Sequence, residues 1–189
     1  QVSKCNNIIF NIDRIKEADE SMTEKEWKEW KSEAYCWRAW NLFQMSQIWG
    51  DIPLVNSIPP AISADNIEDV YKDYYPPRTA RVDVYKQIVG ELEFAAENAP
   101  ETDPSNKHLF TKAFAHGMLA RIFAEETLRN WEQVAKHCEA IEKMNYELVD
   151  DYAQMWAYDE TDAVRNTSES IFEVSFTRSS GNWVWMMFH

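Results

Sequence analysis

The sequence predicts a mainly α-helical fold made of stacked helical hairpins with long loops. Glycine, which disfavours helices, occurs only 4 times in 189 residues. Apolar residues recur at intervals of three and four along several segments, and short loops separate the last three of these segments. Those segments also carry small residues that allow close helix packing, which is typical of tetratricopeptide-type hairpins. No repeat consensus is clean, so periodicity alone indicates an array of helical hairpins.

The first two helices are predicted on either side of a capping box. The first covers residues 3–19. Its apolar stripe consists of four isoleucines at helical spacing: Ile8, Ile9, Ile12 and Ile15. The second helix begins after Thr23, whose side chain is expected to accept a hydrogen bond from the backbone of Glu26 while the Glu26 carboxylate reaches back.

This second helix is apolar on most of its circumference from residue 27 to residue 49. One apolar face contains Trp27, Trp30, Ala34, Trp37, Met45 and Ile48. Another contains Tyr35, Ala39, Leu42, Phe43 and Trp49. Because such a helix must be covered on most sides, we predict that it is central and that Trp37 is buried. Arg38 lies in the same helix, so its guanidinium is expected to be paired or to cap carbonyl groups.

A Gly-Asp-x-Pro turn is predicted to end the second helix. Gly50 is expected to have a positive φ angle, and Pro53 prevents the helix from continuing. Residues 56–80 contain four of the seven prolines and are interpreted as a long loop, with one helical turn within residues 64–73.

Three more helices and one strand are predicted further along the chain. The helices cover residues 81–98, residues 111–128 and a segment that begins after Asn130, where Gln133 completes the cap. Four residues of the last helix are expected to face inward: Trp131, Val134, Cys138 and Ile141. Residues 170–176 alternate between apolar and polar side chains, so at most a short strand is expected near the C-terminus.

Composition argues against two features: binding to nucleic acids and a framework of disulfide bonds. The net charge is −13, and the pI is near 4.7. This negative field repels phosphate backbones and argues against nucleic-acid binding. The three cysteines, Cys5, Cys36 and Cys138, are interpreted as small buried apolar residues rather than as a disulfide framework.

The sequences at the two ends of the chain indicate that it is a fragment of a longer protein. No apolar run is long enough to span a membrane, no signal peptide is present, and the first residue is Gln. The last residues, GNWVWMMFH, are apolar and would need a neighbour to cover them. We therefore expect residues 1–189 to form a single helical domain that is truncated at both ends.

Six segments in order resemble the SusD/RagB family of outer-membrane lipoproteins. The most specific is EAYCWRAWNLFQMSQIWGDIPLV, which is similar to the helix and Gly-Asp-x-Pro-Leu turn of that family. The others are CNNIIFNID, VYKQIVGELEFAAENAP, KAFAHGMLARIFAE, NWEQVAKHCEAIEKMNYELVDDYAQMW and SESIFEVSF. Glu91 and Ala99 depart mildly from the Asp and Leu that are usual in the third segment.

The resemblance implies a SusD-like fold with tetratricopeptide-like hairpins and a nutrient-binding function. It implies a surface-exposed lipoprotein of a Bacteroidetes-type outer membrane that captures nutrients, usually oligosaccharides, and acts with a TonB-dependent, SusC-like transporter. Cys5 follows Gln-Val-Ser-Lys and lies in a predicted helix, so it does not match the lipidated cysteine of the family. The membrane contact would be a lipid anchor upstream of this segment.

Aromatic residues outside the helical pattern are the candidates for ligand binding. Sugar sites use aromatic rings as flat apolar platforms with polar groups around the rim. Five tryptophans lie at helical spacing in the second helix, where core packing explains them better. We therefore predict Tyr74 and Tyr75 in the proline-rich loop, and Trp183 and Trp185 near the C-terminus, as ligand-binding residues. The resemblance supplies none of these positions, because ligand residues vary within the family.

No catalytic residue, metal ligand or cofactor is predicted. The chain contains no G-x-S-x-G, H-E-x-x-H, P-loop or G-x-G-x-x-G motif. Its histidines do not share metal-ligand spacing and are interpreted as isolated surface or core groups: His108, His116, His137 and His189. The expected function is non-enzymatic capture of an oligosaccharide. The alternatives are a protein-interaction scaffold without a small-molecule site in this segment and, more distantly, a hydrolase.

Overall fold

A computed structural model describes residues 1–153 and 165–174, and it is mainly helical, as predicted. The described residues form these elements: α1 (Val2–Ala18), α2 (Glu24–Trp49), β1 (Ile52–Pro53), α3 (Ile67–Tyr74), β2 (Arg78–Thr79), α4 (Arg81–Asn98), α5 (Lys112–Ala124) and α6 (Trp131–Glu142). Each helix predicted from the sequence is present. The helical turn predicted within residues 64–73 is α3, and α5 ends four residues earlier than predicted because residues 125–128 form a turn.

Helix α2 is the central element, as its apolar circumference predicts. It packs against α1 and α4, while α4 packs against α5 and α5 against α6. The core consists largely of apolar side chains from α2, α4 and α5 that are less than 2% exposed, among them Leu42, Phe43, Tyr85, Ile88, Leu92, Leu119 and Ile122. The array of packed helices therefore follows chain order.

The buried face of α2 agrees only in part with the predicted faces: Ala34, Ala39, Leu42 and Phe43 are buried, whereas Ile48 and Trp49 are exposed. Trp37 is 37% exposed and Trp30 is 51% exposed, so the prediction that Trp37 is buried is wrong. Small side chains make up much of the buried face: Ser32, Ala34, Cys36, Ala39 and Ser46. They let α4 approach the α2 backbone closely, and the wide indole rings are displaced to the flanks of the contact.

The predicted inward faces of α1 and α6 also need correction. In α1, Ile8 and Ile15 are exposed, and Ile12 is the buried isoleucine of the stripe. In α6, Trp131 is 62% exposed and Cys138 is exposed, whereas His137 is buried. Each of these helices packs against one neighbouring helix, so only a narrow stripe of its surface is covered.

Both ends of α2 have the predicted local structure. Thr23 and Glu26 form the reciprocal capping box, and Gly50 has a φ angle of 71°. Beyond Gly50, β1 pairs with β2 in antiparallel register, with Ile52 opposite Thr79. The start of α6 is capped by Asn130, whose side chain accepts from the Gln133 backbone N–H at 3.2 Å. The return bond predicted for the Gln133 side chain is not formed, because the Asn130 backbone N–H donates to the carbonyl oxygen of Phe123 at 2.9 Å.

The strand predicted at residues 170–176 is not present in its described part. Residues 170–174 are irregular, and residues 175 and 176 lie outside the described residues. The Phe172 ring instead stacks on Phe110 at 4.9 Å, and the Glu173 backbone N–H donates to the carbonyl oxygen of Lys107. A ring contact and a backbone hydrogen bond to the loop before α5 therefore hold this segment, and the short sheet lies earlier in the chain.

Candidate functional site

A cleft of about 450 Å³ opens between the start of α1, the middle of α2, the segment that follows β1, and α3. Leu42, Met45 and Val55 form an apolar floor. Polar side chains around them include the amides of Asn6 and Asn41. An apolar floor with a few polar groups is the usual composition of a small-molecule site.

Tyr74, one of the predicted ligand residues, lines this cleft. It is the last residue of α3, where Glu68 and Asp69 in the first turn place negative charge at the positive helix N-terminus. The Tyr74 ring is 42% exposed, and its hydroxyl donates to the carbonyl oxygen of Pro60 at 2.7 Å. This bond ties the ring to the opposite side of the proline-rich loop and presents it at the edge of the cleft.

Tyr75, the second predicted residue, lies outside the cleft lining and forms a stacked pair with Tyr71. The two ring centroids are 4.6 Å apart, with an interplanar angle of 27°. Tyr71 is 59% exposed and Tyr75 is 69% exposed. Sequence reasoning missed Tyr71, although the four-residue spacing within a helical segment is the signal that places the two rings on one face.

The other two predicted ligand residues, Trp183 and Trp185, lie outside the described residues. The structure therefore brings together Tyr74, the unpredicted Tyr71 and Tyr75 on α3 and the residue that directly follows it. Asp73, on the same helix, also lines the cleft and adds a carboxylate to its rim.

The cleft can accept the two kinds of surface that a sugar ring presents. Asn41 donates from Nδ2 to the Trp37 carbonyl oxygen at 2.7 Å, and its carbonyl oxygen takes no part in that bond. Amides of this kind can hydrogen-bond hydroxyl groups, while aromatic rings and the apolar floor cover C–H faces. The Asp73 carboxylate and the overall charge of −13 disfavour strongly anionic ligands.

Two histidines that the sequence analysis treats as isolated form a pair. The Nδ1 atoms of His116 on α5 and His137 on α6 are 2.8 Å apart. Burial lowers the pKa of His137 to about 4, with smaller contributions from the positive charges of His116 and Lys136. Burial also lowers the pKa of His116. Sequence spacing gave no signal for this pair, because the contact depends on the register between two helices.

The described residues hold neither a metal cluster nor a membrane-spanning helix. Within residues 1–153 and 165–174, no group of three or more His, Cys, Asp or Glu residues is placed to hold a metal ion. In the same part of the chain, no helix has the length and apolar character needed to cross a membrane.

Comparison with known proteins identifies relatives at the level of family and fold. A family model, SusD-like, described as "Starch-binding associating with outer membrane", matches residues 2–124. No curated protein matches the chain.

Solved structures share the fold at low sequence identity. A SusD-like protein from Bacteroides fragilis superposes with a TM-score of 0.72 at 24% identity, over 93% of this chain and 32% of that one. A SusD superfamily protein from Bacteroides vulgatus has a TM-score of 0.72 at 22% identity, over 92% and 34% of the two chains. Surface glycan-binding protein A from Bacteroides fluxus has a TM-score of 0.63 at 22% identity, over 82% and 30%. This chain thus spans about a third of the length of these structures.

Proposed function

Because this chain belongs to the SusD-like family, we propose that it takes part in capturing an oligosaccharide at the cell surface without cleaving it. The family description names starch binding and association with the outer membrane, and one similar structure is a surface glycan-binding protein. The observation that carries the proposal for this segment is the cleft lined by Tyr74 together with the exposed Tyr71–Tyr75 pair, whose residues lie within three positions of Tyr74 along the chain.

The arrangement of the tyrosines favours a neutral or weakly charged oligosaccharide longer than one sugar unit. A single sugar ring fits the cleft of about 450 Å³. The adjacent stacked pair offers a second apolar platform, which suits a further unit of the same chain. Asp73 at the rim disfavours acidic sugars. Trp183 and Trp185 stay predicted ligand residues of the C-terminal segment.

Isothermal titration of the intact protein with neutral oligosaccharides tests this function. The panel begins with maltoheptaose, which the family description suggests, and adds cellohexaose, xylohexaose and mannohexaose. We expect modest affinity that is nearly independent of salt, because shallow wet sites form few desolvated contacts and no counterions are released. No binding to any of the four would contradict the carbohydrate assignment.

Single substitutions locate the site. Tyr71→Ala and Tyr75→Ala remove the stacked pair, and Tyr74→Ala removes the ring at the cleft. Tyr152→Ala is a control, because Tyr152 is 69% exposed and lies outside the cleft lining. Weaker binding in the first three variants, with the control unchanged, would support the site. Full binding after loss of Tyr71, Tyr74 and Tyr75 together would move the site to another part of the protein.

The proposal extends to the route of uptake. It includes attachment to the outer membrane through a lipid anchor outside this segment and delivery of the captured oligosaccharide to a TonB-dependent, SusC-like transporter. The family description supports the association with the outer membrane. Co-purification of the intact protein with a β-barrel transporter from outer membranes, with detection of the lipid by mass spectrometry, tests both parts.

A protein-interaction scaffold is the second candidate function, and one observation favours it. A groove of about 460 Å³ between α1 and α2 is lined by the exposed side chains of Ile8, Trp30 and Trp37. Apolar grooves between helices commonly accept peptide segments. Trp30→Ser would leave oligosaccharide binding unchanged if the first function holds, and it would abolish partner capture if the scaffold function holds.

A further inference from the structure

The segment of residues 54–60, which forms one wall of the cleft, has little structure of its own. It contains neither helix nor strand. Beyond the β1–β2 ladder, residues 55–62 make no backbone–backbone hydrogen bond within the described part of the chain. A wall of this kind must be held by side chains from elsewhere, since it has no ladder of its own.

Asn6 on α1 provides the first hold. Its Nδ2 donates to the carbonyl oxygen of Val55 at 2.6 Å and reaches that of Ser57 at 3.4 Å. The Asn6 side chain is almost fully buried, with 2% of the residue exposed. Both of its hydrogen-bonding functions are used, because its Oδ1 accepts from Nη1 of Arg38 at 2.8 Å.

Gln87 on α4 provides the second hold. Its side-chain amide exchanges two hydrogen bonds with that of Asn56, both of 2.7 Å. Its Nε2 also donates to Oε1 of Glu91 at 2.9 Å. Two amide side chains from different helices, Asn6 and Gln87, therefore hydrogen-bond the three consecutive residues 55–57 of the wall.

Both holds converge on one buried ion pair. Arg38 donates from Nη2 to Oε1 of Glu91 at 2.6 Å and from Nε to Oε2 at 3.1 Å. The side chains of the two residues are each 7% exposed. Burying two charges costs desolvation energy that an apolar pair would avoid, so stability alone is a weak reason for the pair. A planar guanidinium does offer fixed donor directions, which orient Glu91 and Asn6 together.

We propose that the Arg38–Glu91 pair positions the wall of the cleft: through Asn6 and Gln87 it fixes residues 55–57 at the distance that ligand binding requires. Arg38 and Glu91 act as positioning residues, since neither lines the cleft. This inference rests on the proposed function for the role of the cleft, whereas the anchoring of the wall stands apart from it.

Gln87→Met is the sharpest test, because Gln87 does not line the cleft and Met preserves its shape without its hydrogen bonds. Lys86→Met is the matched control: the neighbouring residue on the same helix is exposed, and its ammonium group donates to Asp83. A trifluoromethyl tag attached to the cysteine of Ile58→Cys reports the position and mobility of the wall by fluorine NMR. The tagged protein carries Cys138→Ser, because Cys138 is exposed whereas Cys5 and Cys36 are buried.

Two readouts are taken on the intact protein. We expect the tag signal to shift or broaden with Gln87→Met and to stay unchanged with Lys86→Met. In the untagged proteins, we expect the Kd for the tightest oligosaccharide of the neutral panel to rise about 3- to 10-fold with Gln87→Met, the effect of one or two hydrogen bonds. Arg38→Lys should act in the same direction, because an ammonium cannot orient Glu91 and Asn6 together.

Each contrary outcome overturns a distinct part. An unchanged tag signal in Gln87→Met overturns the anchoring of the wall. A changed tag signal with an unchanged Kd overturns its role in ligand binding. If the wild-type protein binds none of the four oligosaccharides, the proposed function fails and the ligand-binding role fails with it, while the tag signal still decides the anchoring.

Discussion

The carboxylate of Asp51 caps a helix that begins at Arg81. Oδ1 of Asp51 accepts a hydrogen bond from the Arg81 backbone N–H at 2.9 Å. The N-cap residue of α4, Ala80, has no side-chain acceptor of its own. The turn that ends α2 therefore supplies the acceptor that starts α4, and the pairing of β1 with β2 holds the two points together.

Removing this acceptor is expected to destabilise the protein. Asp51→Ala leaves the first turn of α4 without its acceptor and should lower the free energy of unfolding by about 1 kcal/mol. Asp51→Asn keeps an oxygen acceptor and should lose less. Urea denaturation followed by circular dichroism measures both variants. Equal stability of Asp51→Ala and wild type would show that water replaces the carboxylate without cost.

Two glycines should respond to the same substitution with opposite signs. Gly50 has a φ angle of 71°, and an added Cβ would meet no atom within 4 Å, so Gly50→Ala carries a purely conformational penalty of about 1 kcal/mol. Gly90 lies inside α4 with equally open space, so Gly90→Ala should stabilise by about 0.5–1 kcal/mol. Thermal unfolding of the two variants checks the prediction, and a shared sign would refute it.

The buried ion pair should show strong coupling in a double-mutant cycle. Arg38→Met or Glu91→Leu alone leaves one buried charge without its partner and should cost about 3–5 kcal/mol. The double variant should cost less than the sum of the two, because neither charge then remains. Denaturation of all four proteins gives the coupling energy. Additive losses would mean that the two charges do not depend on each other.

The histidine pair should make stability sensitive to mild acid. The folded-state pKa of His137, about 4, lies below the unfolded value of about 6.5. The unfolded chain therefore takes up the proton first, and stability is lost as pH falls from about 6.5 to about 4, by up to about 3 kcal/mol. Protonation of both rings would also place two N–H groups against each other where Nδ1 of His116 now meets Nδ1 of His137.

His137→Phe isolates this effect from the titration of carboxylates. The His137 ring lies parallel to that of Phe123, with an interplanar angle of 6° and centroids 5.8 Å apart, so a phenyl ring keeps the stacking without the proton site. The difference in unfolding free energy between wild type and variant, measured from pH 7 to pH 4, should shift in favour of the variant. A constant difference across this range would contradict the prediction.

Because Trp37 is partly exposed, we expect it to contribute less to the free energy of unfolding than a fully buried aromatic residue. Its ring lies 5.4 Å from Trp40 and 4.9 Å from Phe110, but the residue is 37% exposed. We expect Trp37→Ala to cost about 1–2 kcal/mol. Phe43 is only 1% exposed, so Phe43→Ala should lower the free energy of unfolding by about 3–5 kcal/mol. Unfolding measurements on both variants decide the order, and a larger loss at Trp37 would reverse it.

Local signals were sufficient for the positions of the helices and for three helix termini. The Thr23–Glu26 box, the positive φ of Gly50 and the cap at Asn130 depend on residues within a few positions of each other, and all three are confirmed. The need for a partner at Arg38 also followed from local composition, because a charge in an apolar helix cannot remain unpaired. The identity of that partner did not follow.

Only part of the candidate site could be predicted from the sequence. Tyr74 and Tyr75 stood out because they interrupt a proline-rich loop, and the helical spacing that adds Tyr71 was present in the sequence as well. The cleft itself could not be predicted from the sequence, since its walls come from α1, α2 and the segment after β1. Their meeting depends on how the helices pack.

The sequence by itself determined where the chain is helical and how α2 begins and ends, because hydrogen bonds and side-chain sterics act over a few residues. Only the tertiary structure decided which faces are buried and which distant groups meet. Small residues on α2 admitted α4 and left Trp37 at the flank. Arg38 met Glu91 at a separation of 53 positions, and His116 met His137 at a separation of 21. Contacts of this kind depend on the register and spacing of packed helices, which residue periodicity restricts but does not specify.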